Sequence, residues 1–213
     1  MRRILPVLLL ALLICYGIHF NVVREQDAGR IAELNRIIEG LELRNDTLDR
    51  KLELVETRAS VRGYFDTRGV NLSPRELKAV SEAILEVSDR YRIPPRMIIA
   101  LIETESSFDK NAVSEKGAVG LMQLLPSTAA DVARDLQIEW DGEHQLHDPG
   151  LNIEMGAFYL NQLIERFDDM DLALAAYNMG PGRVEQIERL GLEKPKRYAR
   201  SVYGNLQTIE SIQ

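Results

Sequence analysis

Two glutamates close an apolar helical segment near the middle of the 213-residue chain, where Met97, Ile98, Ala100 and Leu101 lead into Ile102-Glu103-Thr104-Glu105-Ser106-Ser107-Phe108. Side chains two positions apart on a helix lie about 200° apart, so these two carboxyls cannot serve one site as a pair. One faces the core or a cleft and the other faces solvent. Glu105 falls three and four residues after Ile102 and Leu101 and shares their face. A carboxyl at the end of an apolar helix has its ionised form disfavoured, and one that stays protonated near neutrality can act as a general acid. On residue types alone, the alternative is that both glutamates are solvated at a helix end.

Other polar groupings carry less. His144, His147 and Asp148, with Asp141 nearby, have metal-ligand chemistry, but the remaining histidine of the chain is the distant His19. Asp148-Pro149 is better explained as the start of a helix. Asp168, Asp169 and Asp171 lack the glycine and closing glutamate of a calcium loop and read as helix-capping acids. Neither a metal nor a cofactor is expected. With one cysteine, Cys15, the chain has no intrachain disulfide and no cysteine-rich zinc site. The 26 basic and 33 acidic side chains leave a net charge of −7, which argues against a nucleic-acid partner.

A longer pattern surrounds Glu105. Glu105-Ser106-Ser107-Phe108-Asp109 is followed by Ala112, Ser114 and the run from Gly117 through Ala118-Val119-Gly120-Leu121-Met122-Gln123-Leu124-Leu125 to Pro126. Asp148-Pro149, Asn152-Ile153, Gly156 and Tyr159-Leu160 come next, then Ala175-Ala176-Tyr177-Asn178-Met179-Gly180-Pro181-Gly182. In order and spacing these blocks resemble the lytic transglycosylase domain of the soluble-type murein transglycosylases, a lysozyme-like fold. The resemblance covers about Ser88 to Ile187 closely and the tail to Ile209 more loosely, and nothing before Asn71 contributes to it.

Position by position, the resemblance implies Glu105 as the catalytic acid and a structural role for Ser106. It implies substrate-binding roles for Ser114 and Gln123, for Met122 in the same turn, for the Tyr177-Asn178 pair facing the glutamate, and for Tyr198 on the last family helix. Lys110 and Leu125 depart from the usual pattern, which bears on fine specificity only. Most glycosidases use two carboxylates, and no second acid stands in a motif facing Glu105. Substrate assistance supplies the missing group: the N-acetyl carbonyl of N-acetylmuramic acid attacks its own anomeric carbon while Glu105 protonates the leaving oxygen. Glu105 then takes the proton of the 6-hydroxyl as the 1,6-anhydro ring closes. The resemblance therefore implies peptidoglycan glycan strands as partner. A hydrolase of the same fold acting on peptidoglycan or chitin-type polymers, and a non-catalytic glycan-binding scaffold, are the competing functions.

The elements that must position these residues are helices. Ser73-Pro74-Arg75-Glu76 combines an N-cap, a proline at the first helical position and a capping box, and Leu77, Val80, Ile84, Leu85 and Val87 form one buried face to about Tyr91. Pro94-Pro95 opens the apolar core helix. Further helices are expected over Pro126 to Leu136, Leu151 to Phe167, Asp171 to Tyr177, Pro181 to Leu190 and Pro195 to Ile209, with at most a short hairpin around Ala112–Gly120. The fold class is mainly α, a lysozyme-like domain over 73–213. A body of this size buries about two-thirds of its surface and folds alone.

Three segments precede it. Arg2-Arg3 followed by an apolar run from Ile4 to Phe20 reads as an export signal. Lacking a small-x-small cleavage site, residues 1–22 read as an inner-membrane anchor rather than a cleaved signal peptide, with the arginines inside and the rest of the chain in the periplasm or outside. Residues 27–60 carry Ile31, Leu34, Ile38, Leu41, Asn45, Leu48, Leu52, Val55 and Ala59 at heptad a and d positions, with attractive Arg44–Asp49 and Lys51–Glu56 pairs. That pattern predicts a coiled-coil stalk and a parallel homodimer; an amphipathic helix packed on the next domain is the alternative. Residues 61–72, with Gly63 and Gly69, read as a linker. The charge divides unevenly: residues 70–213 hold 15 basic and 23 acidic side chains, a net −8.

Overall fold

The computed structural model describes residues 4–68 and 72–211. The chain divides into two compact units, Met1–Leu52 and Glu53–Gln213. The first is the leading part of helix α1 (Ile4–Arg68). Ile31, Leu34, Ile38, Leu41, Leu48 and Leu52, the apolar members of its heptad series, are each at least half exposed. Asn45 donates to Asp49 Oδ2 one turn along its own helix at 3.0 Å. The anchor expected over 1–22 includes Arg2 and Arg3, which lie outside the described residues. Among the described residues no helix is long and apolar enough to cross a membrane.

The second unit is built from the end of α1 and from α2 (Pro74–Tyr91), α3 (Pro95–Ser106), α4 (Pro126–Leu136), α5 (Pro149–Phe167), α6 (Met170–Met179), α7 (Pro181–Arg189) and α8 (Arg197–Ser211), with a 3-10 turn at Glu143–His147. The capping box at the head of α2 is formed: Ser73 N–H donates to Glu76 Oε2 at 2.9 Å, and Glu76 N–H donates back to Ser73 Oγ at 3.3 Å. Lys110 makes a short ion pair with the same glutamate. These contacts, the lysine first, hold the Glu76 carboxyl down at a pKa of about 2.

Helix α3 is the hub. Six consecutive residues, Met97 to Ile102, are buried, so every face of the helix meets apolar neighbours, as a non-amphipathic apolar sequence requires. At about 1.5–3 kcal/mol for each large aliphatic side chain removed from water, this one segment is a main source of the fold's stability. Helices α2 and α8 pack against α3, and α5 packs between α2 and α6. A smaller apolar cluster, Val119, Leu124, Ala129, Val132, Ala133, Leu146 and Met155, sits under the loop that joins α3 to α4.

The segment 61–72 departs from a linker. Helix α1 continues through Gly63 to Arg68, and Tyr64 and Phe65 are buried in the main core. Their rings pack 5.5 Å and 4.7 Å from that of Phe108. The reason is aromatic burial: a glycine costs a helix about 1 kcal/mol, less than two buried aromatic side chains contribute. Phe108 needs this support. Ser107 and Phe108 both have left-handed backbone, at φ 49° and 63°, which costs roughly 1–2 kcal/mol per residue, and the reversal turns the chain sharply just after Glu105. The hairpin expected over Ala112–Gly120 is reduced to single antiparallel bridges, Val113 with Val119 and Val119 with Leu124. Positive φ at Gly117, Gly120 and Gln123 bends the chain before a ladder can extend.

Candidate active site

Glu105 ends α3 partly buried on the floor of a cleft. One cavity of about 380 Å³ is lined by Glu105, Ser114, Glu115, Gln123, Tyr177 and Asn178, among others. A second, of about 480 Å³, shares Gln123, Tyr177 and Asn178 and extends past Tyr159 and Thr128 to Arg183. The shared residues make these two arms of one cleft.

Burial raises the Glu105 carboxyl to a pKa of about 7, against a free glutamate's 4.5, and a hydrogen bond from Tyr198 partly counters the rise. The Tyr198 hydroxyl donates to Glu105 Oε1 in a short contact. Burial, followed by the nearby Glu105 charge, pushes the hydroxyls of both Tyr177 and Tyr198 upward, so both stay protonated donors. A second link runs beside the first. Asn205 Nδ2 donates to Thr104 Oγ1 at 2.9 Å, so two side chains of α8 hold two successive residues of α3. Glu103, on the other side of α3, is half-buried rather than fully solvated.

The wall opposite is the loop from Ser107 to Leu125. Ser114 closes a tight turn: its N–H donates to Ala118 O at 2.9 Å, and its hydroxyl oxygen accepts from Ala118 N–H at 3.0 Å. The hydroxyl proton keeps its freedom to reach into the cleft. Gln123 sits at φ 48°, a conformation that a non-glycine residue holds only when its surroundings over-determine it. Its Nε2 supplies that restraint, donating to Ala112 O and Gly120 O at 3.0 Å each.

Met122 differs from the other cleft residues. Its side chain is fully buried, packed so closely on Gly156 that a Cβ there would lie 2.6 Å from the Met122 sulfur. It serves the cleft through its backbone, since the Tyr177 hydroxyl donates to Met122 O at 2.8 Å. Tyr198 lines neither arm and reaches the site through Glu105.

Sequence reasoning assigned no role to the residue that organises this turn. Asn152 is fully buried on α5. Its Oδ1 accepts from Met122 N–H at 2.7 Å, and its Nδ2 donates to Val119 O and Leu146 O at 3.0 Å each. Three backbone groups thus find partners on one side chain, each of which would cost about 1–3 kcal/mol if left buried and unpaired. Gly120 must be glycine for the same reason: at φ +83° a Cβ would lie 2.3 Å from Asn152 Nδ2 and 2.4 Å from Leu146 O. The available signal was an asparagine at an inward position of an otherwise apolar helix. The Thr104–Asn205 link had no such signal. His144 and His147 do not converge on a shared centre, and among the described residues no group of three potential ligands could hold a metal.

Residues 82–199 match the family model described as the transglycosylase SLT domain. The chain is 31% identical over 176 residues to the membrane-bound lytic murein transglycosylase F of Desulfosudis oleivorans, which covers 79% of this chain and 37% of that protein. It is 37% identical over 116 residues to the soluble lytic murein transglycosylase of Escherichia coli K12, covering 54% of this chain and 18% of the relative. A solved structure of the lytic transglycosylase Slt from Pseudomonas aeruginosa, in an inactive mutant carrying glutamine for a glutamate, superposes with a TM-score of 0.53 at 31% identity, over 61% of this chain and 24% of that one. The chain therefore spans little more than a third of these relatives at most.

Proposed function

Since the chain belongs to the transglycosylase SLT family, we propose that it is a peptidoglycan lytic transglycosylase in which Glu105 alone does the acid–base work. The observation that carries this reading is the partly buried Glu105 carboxyl in the cleft wall, hydrogen-bonded by Tyr198 and raised by burial to a pKa of about 7, so that a large share of it keeps its proton near neutrality. In the first step Glu105 gives its proton to the glycosidic oxygen between N-acetylmuramic acid and N-acetylglucosamine. The muramoyl acetamido oxygen bonds to the anomeric carbon as the C–O bond breaks. In the second step the 6-hydroxyl oxygen attacks that carbon, the acetamido oxygen leaves, and the hydroxyl proton returns to Glu105. No water is consumed, and the enzyme ends in its starting protonation state.

The side chains around Glu105 suit these demands. Tyr198 stabilises the carboxylate that the first step leaves behind, and a hydrogen bond that strengthens as this charge develops accelerates the reaction. Ser114, Gln123 and Asn178 offer polar groups to the sugar, and Tyr177 braces the Met122 backbone beneath it. The Pseudomonas relative, inactive when one glutamate becomes glutamine, is consistent with a single indispensable carboxyl.

One observation favours a second reading. Glu115 also lines the Glu105 arm, and a second carboxylate could direct water in a hydrolase. Product analysis separates them. Mass spectrometry of sacculi digested by the wild-type protein is expected to give 1,6-anhydro-muropeptides, and Glu115→Gln is expected to leave that product unchanged. Reducing-end products that vanish in Glu115→Gln would establish the hydrolase instead.

The same reading places the protein in the bacterial cell envelope, held at the inner membrane by residues 1–22, with the stalk pairing two copies in parallel. Support for pairing comes from the exposed Ile31, Leu34, Ile38, Leu41, Leu48 and Leu52 stripe, which a second helix would cover with knobs-into-holes packing. Sedimentation of the full chain in detergent is expected to show a dimer, and Leu34→Glu with Leu48→Glu a monomer. A wild-type monomer at high micromolar concentration would refute the stalk.

A further inference from the structure

The two arms of the cleft differ in charge. The Glu105 arm is lined by Glu105 and Glu115 together with Lys116. The other arm is lined by Lys116 and Arg183 and by no acidic residue. Arg183 lies in the first turn of α7, and Lys116 lies on the Ser114–Gly117 turn across the cleft. Both side chains are exposed, and neither forms an ion pair among the described residues. Two cations in the wall of an arm that has no acidic residue in its lining stand out on a domain whose net charge is −8. Like charges lining one cavity repel, and an anionic ligand group relieves that repulsion while gaining charge-assisted hydrogen bonds.

The sugar rings of a glycan strand are neutral. The negative charge sits on the arm attached to the muramoyl ring: on the carboxylates of the stem peptide where one is amide-linked to the lactyl group, and on the lactyl carboxylate where the stem is absent. The cavity bounded by Lys116, Thr128, Tyr159 and Arg183 has about 480 Å³, room for several peptide residues rather than a single carboxyl. Thr128 and Tyr159 add hydroxyl groups to its wall. We propose that this arm is a stem-peptide site, in which Lys116 and Arg183 bind a peptide carboxylate and thereby select strands whose stems are present and unamidated. The proposal rests on the transglycosylase reading. The domain as a whole is acidic, but its peptide-facing arm is basic. A planar guanidinium binds carboxylate in two-point fashion, so Arg183 is the stronger determinant of the pair.

The test uses the full protein and three synthetic tetrasaccharides of alternating N-acetylglucosamine and N-acetylmuramic acid. One carries stem peptides with free carboxylates, one the same stems with every carboxylate amidated, and one the bare lactyl group. The expected result is a preference of roughly tenfold in kcat/KM for the free-carboxylate stems over the other two, arising in KM, as two exposed charge-assisted contacts supply. Lys116→Gln with Arg183→Gln brings the ratio close to one, Arg183→Gln alone removes most of it, and Arg189→Gln, outside the cleft on the same helix, leaves it intact. An unchanged ratio in the double variant overturns the proposal, as does equal turnover of all three substrates by the wild type. A preference for the bare lactyl strand assigns the cations to the lactyl carboxylate and overturns the peptide assignment. If the wild type forms no anhydro product from any of the three, it is the transglycosylase reading that fails.

Discussion

Glu105→Gln is expected to abolish release of 1,6-anhydro-muropeptides while leaving a folded domain that is more stable than the wild type at alkaline pH. The loss of activity follows from the single-carboxyl mechanism. An amide cannot protonate the glycosidic oxygen and cannot take up the 6-hydroxyl proton, and general acid–base catalysis alone contributes about 10²–10⁴ in rate. Because one group does both jobs, the observed loss belongs at or beyond the upper end of that range. The gain in stability follows from linkage. The Glu105 carboxyl has a pKa of about 7 in the folded protein against 4.5 for a free glutamate. The native state therefore favours the protonated form, and the stabilisation this brings is complete below pH 4.5 and lost as pH rises through 7. Above pH 7 the wild type carries an ionised carboxyl in a partly dehydrated site, at a cost of about 1–3 kcal/mol after allowing for its residual exposure. Glutamine has no such penalty. Thermal unfolding of the two proteins is expected to differ little at pH 5 and to favour Glu105→Gln by several degrees at pH 8.5. Retained muropeptide release would remove Glu105 from its role, and a variant less stable at pH 8.5 than at pH 5 relative to wild type would show that its carboxyl is not raised.

How far the chain could be read without coordinates depended on how local each signal was. The helices α2, α4, α5 and α7 follow from caps, prolines and apolar faces within their own spans, and their observed limits lie within about two residues of those expected. The helix that Glu105 ends allowed a buried carboxyl but equally a solvated one, and it was the motif pattern around it that singled Glu105 out. The turn that opposes it was legible only as a pattern: Gly117, Gly120, Met122 and Gln123 stand in order in the sequence, but nothing local says that Met122 points inward and works through its carbonyl. That fact depends on Asn152 and Gly156, thirty or more residues downstream. The fate of Tyr64 and Phe65 was hidden for a related reason. Glycine at position 63 signals a break when taken alone, and only the partner ring of Phe108, supplied by the far side of α3, makes the continued helix worthwhile. The charge of the cleft was hidden most completely, because Lys116 and Arg183 are 67 positions apart and the average over the domain has the opposite sign.

Tyr198→Phe separates a positioning role from a catalytic one by the direction in which a pH profile moves. Tyr198 donates to Glu105 Oε1, and this bond favours the ionised carboxyl. It is the one contribution that pulls the Glu105 pKa down against burial. Removing the hydroxyl leaves burial unopposed, so the carboxyl titrates above 7. Since kcat/KM requires the protonated acid, activity falls as pH rises through this pKa, and the alkaline limb of the Tyr198→Phe profile is expected to lie at higher pH than that of the wild type. At the same time the variant loses the donor that stabilises the carboxylate between the two chemical steps. A hydrogen bond to a charged group is worth about 1.5–3 kcal/mol, which corresponds to a roughly ten- to hundredfold lower kcat at the optimum. The two effects have opposite appearances: a slower enzyme that holds its residual activity further into the alkaline range. A tyrosine that merely packed α8 against α3 would lower activity or stability without moving the limb, and one that bound sugar directly would raise KM. The Asn205–Thr104 bond keeps α8 in place when the Tyr198 hydroxyl is lost, so the variant is expected to fold normally and the limb can be measured. A limb that stays at pH 7 or moves to lower pH would show that Tyr198 does not tune Glu105.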